Sequence, residues 1–265
     1  MDITLAIRKK ILEIIHRSGA SHIGSSLSMV EILCAIYSRV DLEKIKAGSQ
    51  NRDRVVVSKG HSAAALYATL NAFGLLTDGE LATYHCNGSL LGGHVSHAVP
   101  HVEHSTGALG HGLSVAVGMA VGLKAKNSPA RVFVVLGDGE MQEGSNWEAL
   151  MLAGHLGLDN LRVLVDGNCL GGIACVADCC TLEPLVAKFQ AFNLDACELD
   201  GHDSSALSTA LERADQAGRP AAFVCRTVKG KGVSFMEGQN VWHYRPLNKE
   251  SYENALSELN RGSAS

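Results

Sequence analysis

The spacing of apolar positions changes repeatedly along the chain, and each change marks an element. Ile7, Ile11, Ile14 and Ile15 recur at helical spacing, predicting a helix over 3–17 with one apolar face. The small polar stretch GASHIGSSLS follows and reads as a loop. Ser28 and Glu31 make a capping-box pattern for a helix from Met29 to Ser38, Thr77 and Glu80 another, and Ser145 and Glu148 a third. Val132 to Leu136 is an unbroken apolar run, the signature of a strand buried on both faces of a parallel sheet, and Leu161 to Val165 repeats it. Arg54 to Ser58 and Ala221 to Arg226 read as further strands. Helical patterns cover Ser62 to Phe73, Gly112 to Lys126, Glu183 to Phe192 and Ser204 to Ala217, with a short terminal helix and a small-residue tail after them. Strands alternating with helices predict an α/β fold, a doubly wound and mostly parallel sheet with helices on both faces. With no internal repeat and no linker, residues 1–265 read as one domain. On the helix from Gly112, Ser114, Gly118 and Gly122 share a face that permits close backbone packing.

Composition narrows the partners. A net charge of −4 gives no reason to expect nucleic acid or an anionic membrane, and no apolar run approaches the ~20 residues of a membrane span. Eight scattered cysteines without a secretory signal read as reduced thiols of a cytoplasmic protein.

Two turns carry candidate chemistry. Gly137-Asp138-Gly139 follows the first long apolar strand, and Asp166-Gly167-Asn168 follows the second. Both turns belong at the carboxyl ends of parallel strands, where open α/β sheets bind ligands. A carboxylate and an amide oxygen there can share one hard cation, Mg²⁺ above all, together with phosphate oxygens and water. Taken alone, the pair fits a plainer reading better, in which Asp138 caps a turn and Asn168 starts one. Twelve histidines are present, six of them in the irregular stretch from His85 to His111. His97, His101 and His104 invite a zinc reading, as do Cys175, Cys179 and Cys180, but neither set has complete ligand spacing. His22, His61, His94 and His243 sit in loops expected at one edge of the sheet, where imidazole suits diphosphate binding and proton movement near neutral pH.

These motifs together resemble the transketolase family. GDG, about thirty residues and then Asn after an apolar strand is similar to the thiamine diphosphate motif. GDGEMQEGSNWEAL, SKGHSAAALYA, GGHVSHAVPHVEHSTGALGHG and KGKGVSFMEGQNVWH resemble transketolase segments specifically. The resemblance implies catalytic roles for His22, His61, His94 and His243. Cofactor contacts are implied from His61, Gly107, Leu109, Asp138, Gly139, Glu143, Asn168 and His243. Metal ligation by Asp138, Asn168 and the Leu170 carbonyl is implied for Mg²⁺, or Ca²⁺ or Mn²⁺ in its place.

The resemblance ends where a full-length transketolase begins its pyrimidine-binding domain, which supplies the glutamate that activates the cofactor. It therefore implies the amino-terminal subunit of a split transketolase. Such a subunit works with a carboxy-terminal partner, as a heterotetramer, on sugars or sugar phosphates. The alternatives are the alpha chain of a 2-oxoacid dehydrogenase first component and a non-catalytic scaffold. The chain departs from the family at Tyr244-Arg245, where a small residue usually follows Trp-His. This departure predicts bulk and positive charge at the mouth of the site and an unusual anionic ketose, or a pairing of Arg245 with a partner-chain carboxylate.

Overall fold

Strands buried on both faces need two apolar cores, one per face, and the fold supplies both. In a computed structural model, residues 2–261 of the chain are described; the small-residue tail lies outside the described residues. Arg54–Val57 (β1), Val132–Gly137 (β2), Leu161–Gly167 (β3), Asp195–Asp200 (β4) and Ala221–Arg226 (β5) form a sheet ordered β1-β2-β3-β5-β4, every neighbouring pair parallel. Register keeps each row of side chains on one side. Val56, Val134, Val163, Ala222 and Ala196 line up across the sheet and all enter one core. The next row, Val57, Val135, Leu164 and Phe223, enters the other.

Helices cover both faces, as the alternating pattern predicts. In chain order, Ile3–Ser18 (α1), Ile23–Ser28 (α2), Val30–Tyr37 (α3), Leu42–Lys46 (α4), Ala63–Ala72 (α5) and Asp78–Leu81 (α6) precede β2. Gly112–Ala125 (α7) also does, and Gly144–His155 (α8), Val176–Cys179 (α9) and Leu185–Ala191 (α10) follow it. Ser204–Ala214 (α11) and Lys249–Arg261 (α12) complete the set. The apolar faces of α1, α2, α3, α5, α11 and α12 share one core, and those of α7, α8 and α10 share the other.

Three local expectations change. GASHIGSSLS is a loop only as far as His22: Ile23 and Leu27, one turn apart and fully buried, make its second part the helix α2. Two of the three capping boxes are absent, because tertiary partners take the serines. The Ser28 hydroxyl donates to Asp166 at 2.6 Å and the Ser145 hydroxyl to the Gly110 carbonyl at 2.7 Å, while Glu31 is bound by Arg8. Only Thr77 and Glu80 form their box. Gly118 and Gly122 do not pack closely within the chain, since a Cβ on either would meet nothing within 4 Å.

Gly154, on α8, is the opposite case. A Cβ there would lie 1.7 Å from the Phe192 carbonyl oxygen. Alanine at an exposed helix position stabilises by about 1 kcal/mol relative to glycine. Gly154→Ala is expected to destabilise instead, by about 1–3 kcal/mol, because a backbone must move to admit the methyl group. Urea unfolding of the two chains measures the sign.

Candidate active site

The carboxyl ends of β1, β2 and β3 converge on one cavity of about 360 Å³. Asp138, Asn168 and Leu170 line one side of it, and His61, His243 and Tyr244 are also in its wall. Leu109, Gly139 and Glu143 line it as well. The backbone is shaped around the first group. Asp138 accepts from the Gly139 N–H at 2.8 Å and from the Cys169 N–H. Cys169 adopts a left-handed φ of 64°, and the Asn168 side-chain oxygen accepts from the Leu170 N–H at 3.1 Å.

The four histidines meet here, although as many as 221 residues separate them (243 − 22). His22 lies 5.3 Å from His61, 5.6 Å from His94 and 5.0 Å from His243, ring centre to ring centre. His61 lies 5.3 Å from His243. His22 reaches the cluster through a left-handed backbone (φ 70°), and its N–H donates to the His243 carbonyl at 2.8 Å. Gly107 makes room for the fourth ring, since a Cβ there would sit 3.0 Å from His94.

Next to the histidines lies buried charge to which the sequence reading gives no role. Lys59 and Asp166 form a buried ion pair, 2% and 0% exposed. Asp166 also accepts from Thr227 and Ser28, so a single carboxylate ties the end of β3 to the ends of β1 and β5 and to α2. Lys229 donates to the Leu170 and Gly171 carbonyls at 3.2 and 2.8 Å, to Asn240 at 3.1 Å, and contacts His243 Nδ1 at 3.0 Å. Glu140 accepts from Ser58, from the Gly110 N–H at 2.9 Å and from the Gly137 N–H at 3.2 Å, clamping the glycine loop before α7 onto the sheet. A signal exists in the sequence: each of these residues adjoins a glycine at the end of an apolar strand or in a glycine-rich run. Burial of a lysine, however, is not visible in that pattern.

Burial and neighbouring cations shape the titration of the site. Burial first, then the nearby His94, Lys229 and Lys59, lower the His22 pKa to about 4. Burial and then Lys229 lower that of His243 to about 3, and burial and then Lys59 hold His61 well below its ordinary value. These three imidazoles are neutral near pH 7. Burial, then Asp166, raises the Asp138 carboxyl. Between about pH 6.5 and about 4 the unfolded chain binds a proton at residue 22 that the folded chain does not, so stability falls as the solution is acidified. His22→Gln is expected to flatten that decline by about one proton over the same window. Denaturation midpoints across the pH range would show it, and an unchanged slope would mean that His22 titrates alike in the folded and unfolded chains.

Tyr244 and Arg245 part company. The Tyr244 ring lies 4.6 Å from His243 and borders the cavity, where a Cβ on Gly172 would come within 2.8 Å of its hydroxyl. Arg245 instead lies over the Trp242 ring at 5.5 Å and lines a separate cavity with Phe235 and Asn254. The expectation of positive charge at the mouth from Arg245 is therefore corrected: the bulk is there, the charge is not. His97 hydrogen-bonds Ser105 at 2.6 Å, and among the described residues no three His, Cys, Asp or Glu side chains gather as a metal site.

A family model for "Transketolase, thiamine diphosphate binding domain" matches residues 2–260. The chain is 40% identical to one of the subunits of the apulose-4-phosphate transketolase of Actinobacillus succinogenes, over 96% of this chain and 93% of the relative. It is 38% identical to the SqwG subunit of the 6-deoxy-6-sulfo-D-fructose transketolase of a Clostridium species, over 97% and 95% respectively. Among solved structures, the transketolase of Leishmania mexicana superposes with a TM-score of 0.89 at 29% identity over 97% of this chain, which spans 41% of that longer one. The transketolase of Campylobacter jejuni gives 0.88 at 27% identity, over 98% of this chain and 43% of the other. This chain belongs to the transketolase family, as a subunit carrying its thiamine diphosphate-binding domain.

Proposed function

We propose that the chain holds the diphosphate end of thiamine diphosphate in a two-chain transketolase moving a two-carbon ketol unit from a ketose to an aldose. The observation that carries this reading is a cluster of four histidines and two lysines, of which His61, His243 and Lys59 line the same cavity as Asp138, Asn168 and Leu170. In this reading residues 1–265 are one diphosphate-binding domain, and a pyrimidine-binding partner subunit supplies the activating glutamate, the pair assembling as a heterotetramer. Leu109, Ile173 and Tyr244, 36%, 91% and 60% exposed around the cavity, suit a surface that such a partner covers. Eight free thiols fit a reducing compartment, and the reading places the chain in the cytoplasm. No helix among the described residues is long and apolar enough to cross a membrane.

The donor set fits a hard divalent cation. Asp138 is buried, its partners are backbone N–H groups, and it forms no ion pair among the described residues. Burial, then the neighbouring Asp166 carboxylate, raises its pKa, a cost to the ionised form that a bound cation would offset. Asp138, Asn168 and the Leu170 carbonyl would hold Mg²⁺, and Lys59 and Lys229 would balance the diphosphate charge. When bound, thiamine diphosphate supplies the electron sink that lets a ketose carbon–carbon bond break and re-form.

The histidines then do proton work. The Lys229 ammonium, which has no acceptor, lies against His243 Nδ1 and so disfavours a proton there, leaving it on Nε2, the nitrogen facing Gly172, where it can donate to a substrate oxygen. Neutral His22 and His61 are free to accept from a sugar hydroxyl and return the proton. Tyr244 narrows the entrance, and its hydroxyl offers a contact that a small residue would not.

Reconstitution with the partner tests the reading. The pair is expected to bind thiamine diphosphate with Mg²⁺ and to transfer a ketol unit, and the chain alone to turn over nothing measurable. Pyruvate-dependent activity would favour a 2-oxoacid dehydrogenase component, and no cofactor binding by the pair would favour a scaffold.

A further inference from the structure

Outside the lining of the cavity, a second buried charge cluster has no part in the chemistry above. Arg8 on α1 grips Glu31 on α3 with two hydrogen bonds, 2.6 and 2.8 Å, and both side chains are buried. The same Glu31 accepts from His202 Nδ1 at 3.0 Å. His202 stands in the turn after β4, and its Nε2 accepts from the Val228 N–H at 2.8 Å. A backbone N–H can only donate, so this contact fixes the neutral tautomer with its proton on Nδ1, directed at the carboxylate. Burial opposes ionisation of Glu31, but hydrogen bonds from His202 and Arg8 hold its pKa at about 2.

The cluster bears on the glycine-rich run at two points. His202 takes the N–H of Val228, the residue before Lys229. Arg8 Nε donates to the carbonyl of Lys231 at 3.1 Å. Gly232 lies flat against the guanidinium arm, where a Cβ would fall 3.1 Å from Arg8 Cδ. Residues 228 and 231 are thus fastened on either side of Lys229 to one carboxylate. Gly230 has a left-handed φ of 83°, and its Cβ would meet the Met236 carbonyl at 2.4 Å, so this stretch has little freedom to adjust otherwise.

We infer that Arg8, Glu31 and His202 form a positioning device for Lys229, setting through the backbone on either side of it where its ammonium group meets the Leu170 carbonyl and His243. The inference rests on the functional reading above, because Lys229 matters only if the cavity holds an anionic cofactor. None of the three residues touches the cavity. His202 acts through the backbone of Val228, and Glu31 acts by orienting His202 and Arg8 together.

The test is calorimetric titration of the reconstituted pair with thiamine diphosphate and Mg²⁺. His202→Gln keeps one acceptor and one donor at nearly the spacing of the ring nitrogens and is expected to bind within about threefold of the parent. His202→Phe keeps bulk and loses both, and is expected to bind about tenfold more weakly, the lower range for an outer-shell group. In a Lys229→Met background the same His202→Phe change is expected to add no further loss, because the two act as one unit. Additive losses, or Gln and Phe variants equally impaired, would overturn the inference. Should the Phe variant fail to fold, ¹⁵N-histidine NMR of the parent chain decides independently: the Nδ1-protonated tautomer at His202 supports the device, and the Nε2-protonated one sinks it. If the parent pair binds no cofactor at all, the functional reading fails, an outcome distinct from additivity in a pair that does bind.

Discussion

Asp138→Asn is expected to weaken Mg²⁺-dependent binding of thiamine diphosphate to the reconstituted pair by about a hundredfold or more, while the unliganded chain keeps its stability. The loss follows from the donor set. Asp138 is the single carboxylate among the three proposed ligands, and losing even an outer-shell group around a metal costs about 10–100-fold in affinity. The unchanged stability follows from burial. Its folded-state pKa is raised, so the ionised form is penalised, and its contribution to stability diminishes as pH rises through the folded pKa. Asparagine removes that penalty at neutral pH but accepts only one of the two backbone N–H groups well, an offset of about 1 kcal/mol. Cofactor titration and urea unfolding on the same preparation separate the two effects. Undiminished affinity would show that the cation, or the cofactor, sits elsewhere.

Lys59→Met should produce the largest loss of stability. The pair with Asp166 is almost wholly buried, so removing the lysine strands a carboxylate at the junction of three strand ends. Breaking a buried pair by removing one partner costs about 3–5 kcal/mol. Hydrogen bonds from Ser28 and Thr227 remain and hold the expected value toward the lower end. Replacing Asp166 by Leu as well should recover part of the stability and none of the cofactor binding. The divergence between the two measurements is the informative result: a Lys59→Met chain as stable as the parent would mean that water reaches Asp166.

The central β2–α8–β3 unit is legible in the sequence because its strands are apolar on both faces and its turns carry glycine. The four histidines are legible too, through motifs rather than through any visible proximity. β4 is not, because Asp195-Ala-Cys-Glu-Leu-Asp, an edge strand, is half polar. The Ser28 and Ser145 boxes fail for a related reason: a hydroxyl that caps its own helix in sequence terms is better matched by a partner over a hundred residues away in one case and 35 in the other. Lys59, Lys229, Asp166 and Glu140 stay hidden because charge near a glycine turn is ordinarily solvated. Arg245 misleads in the opposite sense, since its neighbour Tyr244 does face the cavity while its own side chain turns back onto Trp242.

The bond from Arg8 to the Lys231 carbonyl spans 223 residues, and that from Ser25 to His243 Nδ1 spans 218. Contacts of such long range are entropically costly to close, because a long loop must be restricted before either contact stabilises anything. A chain ending before residue 229 would carry all five strands yet lack Lys229 and His243, so cofactor capture by the assembled pair reports more than completion of the sheet.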